Sequence, residues 1–223
     1  MALKETIETE YKNALKAKDK TKISTYRLIL SSIKDLDIVN RSGPNKKDTD
    51  DEDIKKLLKK MVKQRAESID IYKKNNPSFY ISPDEVINSE DLIEKVLSWI
   101  KDNETLSPLV YSSSDTKVVS EKQKQYGQEI LANKIENFFE VLSKRLVKDN
   151  FGTFISAGGE TSGAIIKGLG IQELKIGKEI SHGVPALWSP DSIGNKPVFV
   201  TLKSGNFGQD DFFKRALKAL TNS

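Results

Sequence analysis

Residues 154–170, FISAGGETSGAIIKGLG, decide the fold of the second half of this chain. An apolar, β-prone run from Phe151 to Ser156 meets Gly158 and Gly159, and an apolar helical pattern follows from Ala164 to Leu169. This order predicts a strand, a glycine-rich turn and a helix that two further glycines end. Glycines allow close approach of a ligand, and a helix start offers free N–H groups and a positive dipole end. From these residues alone, the stretch is either a phosphate-binding loop or only a tight turn.

The same pattern occurs a second time near the end of the chain. The run KPVFVTLK, residues 196–203, predicts a strong strand, the glycine-rich turn SGNFG follows at 204–208, and an amphipathic helix is predicted over 209–220. In open α/β sheets ligands bind beyond the carboxyl ends of the strands. Two such turns side by side favour a ligand site over a pair of simple turns. Lys203 either offsets phosphate charge there or only ends the strand.

Helical spacing of apolar residues is the main signal in the rest of the chain. It predicts helices at residues 3–17, 24–38, 50–74, 92–100 and 118–148. Ser24 is the predicted N-cap of the second helix. Thr49 and Glu52 match a capping box at the start of the third helix.

Residues 75–91 form the predicted boundary between two segments. Pro77 and Pro83 are expected to stop helices, and Asn, Ser and Asp are dense around them. The excess of basic side chains lies in residues 1–76, whereas residues 77–223 have slightly more acidic than basic side chains. Beyond the boundary, short strands are predicted at 108–112, 174–176 and 183–187.

Composition excludes several kinds of site. The 223 residues contain no cysteine and one histidine, His182, so disulfides, thiolate metal sites and multi-histidine metal sites are excluded. We expect His182 to be structural rather than catalytic. No apolar run is long enough to span a bilayer and the N-terminus has no signal-peptide core, so a cytoplasmic protein with no membrane contact is expected.

One face of the third predicted helix is rich in lysine. Its members are Lys55, Lys56, Lys59, Lys60 and Lys63. This face is either a solvated helix surface or a weak contact with the phosphate backbone of RNA. No aromatic side chains interleave with the lysines, so base stacking is not supported.

Residues 1–76 resemble the start of the GatB/YqeY family. The segments STYRLILSSIK and KMVKQRAESIDIYKK are the most specific parts of this resemblance. It implies a helical segment related to the tail domain of the tRNA-dependent amidotransferase B subunit. The acidic helices that form the second half of that family do not follow here, so the segment is expected to be truncated.

Residues 79–223 resemble the C-terminal nucleotide-binding domain of the four-carbon acid sugar kinases, which include the 3-oxo-tetronate kinases. GGETSGA and LKSGNFG, in this order and with the terminal DFF helix, carry the resemblance. It implies ATP-dependent phosphorylation of a sugar acid, with ATP and Mg²⁺ as cofactors. The implied ATP contacts are Gly158, Gly159, Glu160, Thr161 and Gly205. Glu160 would need Mg²⁺ or a ribose hydroxyl beside it, or it only stabilises the helix dipole.

The sequence therefore predicts an α+β protein. An all-α helical segment, residues 1–76, precedes an incomplete, three-layer-like α/β nucleotide-binding domain, residues 77–223. The N-terminal sugar-acid domain and a Gly-Ser-x-Ser turn of the kinases are not visible. We expect ATP binding, catalysis only if another chain completes the site, and a sheet with an exposed edge. The alternatives are a tRNA-associated binding module and a non-functional fusion product.

Overall fold

The chain divides into two compact units, Met1–Gln64 and Arg65–Ser223, each with its own core. A computed structural model describes residues 2–42, 46–181, 183–203 and 211–221, and the side chains of 20, 21 and 62–66 fall outside that description. The predicted α+β fold class is confirmed. The segments predicted at residues 1–76 and 77–223 stay a prediction, because sequence ancestry and compactness need not divide a chain at the same residue.

The first unit is helical. Its elements are α1 (Leu3–Ala17), α2 (Lys20–Ser42) and most of α3 (Asp51–Lys73). Ile7, Ile33 and Ile54, one from each helix, are buried together at its centre. The three helices predicted for this region are confirmed.

Both predicted helix caps in the first unit are wrong by a few residues. The N-cap role belongs to Asp19 instead of Ser24, because the Asp19 carboxylate accepts a hydrogen bond from the N–H of Lys22 at 2.9 Å. The reciprocal capping box at the start of α3 joins Asp50 and Asp53, at 2.8 and 3.4 Å.

The reason for the shift at α3 lies in the side chain of the predicted cap. The side-chain amide nitrogen of Asn40, Nδ2, donates a hydrogen bond of 3.1 Å to Thr49 Oγ1. A longer-range contact therefore uses the hydroxyl that the local pattern assigned to the helix start.

The second unit begins with residues 65–73 of α3 and continues with alternating strands and helices. In chain order these are β1 (Ser78–Tyr80), α4 (Pro83–Asn88), α5 (Leu92–Asp102), β2 (Leu109–Tyr111), α6 (Thr116–Tyr126), α7 (Gln128–Lys148), β3 (Thr153–Ala157), α8 (Gly159–Leu169), β4 (Lys175–Ser181), β5 (Val184–Ser189), β6 (Val198–Lys203) and α9 (Phe212–Thr221).

The predicted boundary at 75–91 contains a strand and a helix. Pro83 is the first residue of α4 and does not stop a helix, because a proline at this position loses no helical hydrogen bond. The Ser82 hydroxyl accepts from the N–H of Glu85 at 3.2 Å, and the Glu85 carboxylate accepts from the N–H of Ser82 at 3.0 Å. The bond from the Ser82 N–H, together with one that the Ser82 hydroxyl donates to the same carboxylate at 2.8 Å, holds the pKa of Glu85 below its ordinary value.

The single helix predicted over 118–148 is wrong. Gly127, at φ +86°, separates α6 from α7. Such a conformation interrupts the right-handed helix and is easily adopted only by glycine. Apolar spacing continues through the break, which is why periodicity alone did not reveal it.

The strands form two small sheets in the described residues. One contains β1 and β2 in parallel. The other has the order β3-β6-β5-β4, with β3 parallel to β6 and the other neighbours antiparallel. The parallel pair brings the carboxyl ends of β3 and β6 to the same edge.

Helix α8 packs closely against α7. Gly168 lies inside α8 and does not end it, whereas Gly170 is its left-handed C-cap, at φ +68°. A Cβ atom at residue 168 would overlap the carbonyl oxygen of Glu140 and the hydroxyl of Ser143. Gly168 is therefore needed for the close approach of the two helices.

Among the described helices, none combines the length and the apolar character that crossing a membrane requires.

We predict opposite effects for two glycine substitutions in α8. Gly168→Ala should lower the free energy of unfolding by about 1–3 kcal/mol, because the added methyl group has no space. Gly163→Ala is the matched control, since its Cβ would meet open space, and it should raise stability by about 0.5–1 kcal/mol. Urea unfolding followed by tryptophan fluorescence measures this, because Trp99 and Trp188 both lie in the second unit. Equal effects of the two substitutions would contradict the packing described.

Candidate functional site

The two predicted strand-to-turn junctions lie side by side. Ala157, at the end of β3, is in register with Lys203, at the end of β6. Beyond them, the N–H of Gly158 donates a hydrogen bond of 2.8 Å to the carbonyl oxygen of Lys203. The second glycine-rich turn, including Gly205, lies outside the described residues, as does His182.

The glycine-rich turn at 158–161 leaves backbone donors unused. Gly158 has φ +125° and is the N-cap of α8, and its carbonyl accepts the first helical hydrogen bond, from Ser162 N–H at 2.8 Å. Within the described part of the chain, the N–H groups of Gly159, Glu160 and Thr161 have no hydrogen-bond acceptor. Such groups at a helix start are ordinarily satisfied by a cap, by water or by a ligand.

A buried pair of serines fixes the start of α8 on the end of β3. Ser156 Oγ and Ser162 Oγ are 3.0 Å apart, and both residues are buried. Sequence analysis missed this pair, because each serine appeared only as a polar position within an apolar pattern. Their six-residue separation across a turn is recognisable only when the strand and the helix are in place.

A cavity of about 100 Å³ lies at this edge of the second unit. Its wall is formed by β2 with the two serines that follow it, by the ends of β3 and β6, and by helices α3, α7, α8 and α9. Ligand pockets usually measure about 300–1,000 Å³. The cavity therefore has room for part of a ligand, such as one phosphate group.

A second cavity, of about 310 Å³, lies at the opposite ends of β3 and β6. It includes Asn150, Gly152 and Lys196, and the amino group of Lys196 donates to Asn150 Oδ1 at 2.6 Å. Although it is larger, it lies at the amino ends of the parallel strands and away from the start of α8. The smaller cavity is therefore the better candidate site.

Lys203 forms part of the candidate cavity wall and is 1% exposed. Its amino group lies 5.5 Å from the centre of the Phe212 ring. Burial of a cation is costly unless other groups compensate it, and an aromatic face supplies part of that compensation. Its place in the cavity wall is compatible with both roles left open by the sequence, the offset of phosphate charge and the end of the strand.

The predicted ATP contacts in the first turn differ in position. Thr161 lines the cavity. Gly159 has open space where a Cβ would stand. Glu160 is exposed and is not part of the cavity wall. Within the described residues, no group of three acidic or histidine side chains is arranged to hold a metal ion.

The lysine face of α3 is exposed where its side chains are described, at Lys55, Lys56, Lys59 and Lys60. The Lys55 amino group pairs with a Glu52 carboxylate oxygen at 2.7 Å, which raises the pKa of Lys55. The side chain of Lys63 lies outside the described residues. RNA contact through this face stays a prediction.

Residues 59–213 match the family described as a nucleotide-binding C-terminal domain. The chain belongs to this family. Residues 4–80 also match the Yqey-like protein family, and the two matches overlap within α3 and β1. Both resemblances predicted from the sequence are confirmed.

Curated relatives of this nucleotide-binding domain are named 3-oxo-tetronate kinase. The relative from Haemophilus influenzae is 34% identical over 150 residues, which are 66% of this chain and 35% of the relative. The relative from Pseudomonas savastanoi is 37% identical over 150 residues, 67% of this chain and 34% of the relative. The chain thus spans about a third of the length of these relatives.

Solved structures share the fold of this domain. A Haemophilus influenzae protein superposes with a TM-score of 0.64 at 32% identity, over 70% of this chain and 37% of that protein. A Salmonella typhimurium protein gives the same TM-score, 0.64, at 31% identity, over 70% of this chain and 38% of that protein.

We predict that the two buried serines depend on each other. Ser162→Ala alone should lower the free energy of unfolding by about 1–3 kcal/mol, because the buried hydroxyl of Ser156 then has lost its hydrogen-bond partner. Replacing both serines by alanine should cost less than the sum of the single changes, since neither hydroxyl is then left without its partner. Urea unfolding of the two single variants and the double variant measures the coupling. Strictly additive effects would show that the hydroxyls do not interact.

Proposed function

We propose that the second unit binds Mg·ATP, with phosphate oxygens at the start of α8. One observation carries this proposal. Three successive N–H groups, of Gly159, Glu160 and Thr161, have no acceptor among the described residues and lie at the positive end of a helix. Phosphate oxygens supply the acceptors and the negative charge that such a helix start favours.

The surroundings of these N–H groups support a phosphate. The missing Cβ at Gly159 leaves open space beside the backbone, so an oxygen has access to the helix start. Lys203 and Thr161 line the same cavity and provide a positive charge and a hydroxyl. The cavity volume of about 100 Å³ suits one phosphate group, with the remainder of the nucleotide outside it.

The proposed ATP contacts remain Gly158, Gly159, Glu160, Thr161 and Gly205. Gly158 acts through its backbone conformation, because its N–H is already bonded to Lys203. Mg²⁺ is expected to arrive with the nucleotide and to be held mainly by phosphate oxygens and water, as is usual for this ion. The exposed carboxylate of Glu160 would contact that ion or a ribose hydroxyl, or it only stabilises the dipole of α8.

The proposed reaction is the one that the names of the relatives indicate, phosphorylation of a 3-oxo-tetronate-type sugar acid. When bound, ATP supplies the phosphoryl group. This unit orients the nucleotide and neutralises phosphate charge through the start of α8 and Lys203. Phosphoryl transfer also needs groups that position the acceptor hydroxyl. We propose that those groups come from kinase sequence beyond the third that this chain spans. This unit by itself is then expected to bind ATP without transferring its phosphoryl group.

We predict that calorimetry will detect binding of Mg·ATP to the protein and that Lys203→Met will weaken it by about 10- to 100-fold. The loss follows from removal of one charged partner of a phosphate oxygen. Methionine is long and apolar, so it preserves much of the contact with Phe212.

Lys196→Met is the matched control. It removes the same charge at the opposite end of β6, beside the second cavity, and it should leave ATP binding unchanged. Absence of binding at millimolar ATP would contradict the proposal. Loss of binding in the Lys196 variant alone would move the site to the second cavity.

A further inference from the structure

One buried hydroxyl at the end of β4 lacks a hydrogen-bond partner. Ser181, the last residue of β4, is 9% exposed. Among the described residues, its Oγ is the one buried side-chain oxygen or nitrogen that makes no hydrogen bond. Most buried polar groups have a partner, because an unpaired one costs free energy. The Ser181 hydroxyl is therefore a candidate contact for a ligand.

Ser181 lies at the same edge of the larger sheet as the candidate cavity. β4 and β6 both run antiparallel to β5, and β3 is parallel to β6. The carboxyl ends of β3, β6 and β4 therefore meet at one edge. In open sheets, ligands bind beyond this edge.

The strand registers place Ser181 in one cross-strand row with Lys203. Ser181 pairs with Val184 of β5. β5 pairs with β6 so that Leu187 lies opposite Val200. Continued by three residues, this register brings Val184 opposite Lys203. Val184 therefore lies between Ser181 and Lys203 in the row.

The side chains of this row face the start of α9. Directly paired residues of neighbouring strands project from the same face of a sheet. Val184 is buried together with Phe212, the first residue of α9, and the Lys203 amino group lies 5.5 Å from the centre of the Phe212 ring. Ser181 is thus on the face that carries Lys203, two strands away, which is about 10 Å between the backbones.

The Ser181 hydroxyl can reach a ligand by rotation of its own side chain. Oγ itself is covered by protein, but rotation about the Cα–Cβ bond moves it among three staggered positions. Because Oγ makes no hydrogen bond in the described structure, this rotation breaks none. The hairpin end beside it is held by a hydrogen bond of 2.7 Å from Gly183 N–H to Glu179 Oε1. Contact therefore requires no opening of the sheet.

We propose that the Ser181 hydroxyl contacts the nucleoside part of the ATP whose phosphate lies at the start of α8. The inference rests on the proposed function. The cavity holds one phosphate group, so the rest of the nucleotide extends outside it. Along the sheet edge, the row leads from Lys203 across β5 to β4. A nucleoside triphosphate is long enough to cover this distance of about 10 Å.

The chemistry of Ser181 suits a neutral polar group. A serine hydroxyl carries no charge, and it both donates and accepts a hydrogen bond. Ribose hydroxyls and base edges also offer neutral donors and acceptors. Phosphate oxygens are charged, and their partners are the N–H groups of α8 and the amino group of Lys203. Ser181 would therefore favour ATP over a polyphosphate that has no nucleoside.

Calorimetry with two ligands separates the nucleoside contact from the phosphate contacts. The ligands are Mg·ATP and Mg·tripolyphosphate, which has the phosphates without the nucleoside. Ser181→Ala should weaken binding of Mg·ATP by about 3- to 10-fold, the effect of one lost hydrogen bond, and should leave binding of Mg·tripolyphosphate unchanged. Urea unfolding should show no loss of stability in this variant, because the hydroxyl that it removes has no partner.

Ser189→Ala is the matched control. Ser189 is also buried, at the other end of β5, and its hydroxyl donates to the Asp191 carbonyl at 2.7 Å. Loss of this bond should lower the stability of the protein and leave binding of both ligands unchanged.

The outcomes distinguish this inference from the proposed function. If the wild-type protein binds neither ligand, the proposed function fails and the inference fails with it. If it binds both, and Ser181→Ala binds Mg·ATP as tightly as before, only the nucleoside contact is overturned. Equal weakening of both ligands would assign Ser181 to the phosphates and would also overturn it. A loss of stability as large as that of Ser189→Ala would show that the Ser181 hydroxyl is already bonded within the protein, which removes the basis of the inference.

Discussion

The parallel pairing of β3 with β6 is the constraint on which the candidate site depends. It ends at the 2.8 Å hydrogen bond from Gly158 N–H to the Lys203 carbonyl, which holds the start of α8 beside a buried lysine. The positive φ angle of Gly158, +125°, then allows the chain to turn from strand to helix. Without this pairing, the start of α8 and the buried Lys203 would not lie at the same edge of the sheet.

Regular, locally determined features of the fold could be predicted from the sequence. Apolar periodicity predicted the helices of the first unit, and the glycine-rich turn predicted β3 and α8. Of the two glycines predicted to end α8, Gly170 is its C-cap, whereas Gly168 lies inside it. The errors arose where a longer-range contact or one backbone angle decided the outcome. Thr49 bonds to Asn40 instead of capping α3, and Gly127 breaks a helix whose apolar spacing continues.

The candidate site was only partly predictable for a related reason. Glycines indicate a turn, so the loop at 158–161 could be predicted from the sequence. The role of Lys203 was left open, because burial beside Phe212 depends on packing between β6 and α9. The pairing of Ser156 with Ser162 depends on how β3 and α8 meet, and the position of Ala157 beside Lys203 follows from strand order, which no local pattern encodes. The sequence thus predicted the kind of site, whereas the fold determined its walls.

The central claim, that the start of α8 holds phosphate, is tested most directly by nuclear magnetic resonance. Amide signals are followed while Mg·ATP or adenosine is added. We predict that the signals of Gly159 and Thr161 shift with Mg·ATP and not with adenosine, because only the former brings phosphate to the free N–H groups. Gly170 N–H, bonded to Lys167 at 3.1 Å, should not shift with either. Equal shifts with adenosine, or shifts confined to residues such as Gly152 at the opposite end of β3, would contradict the account.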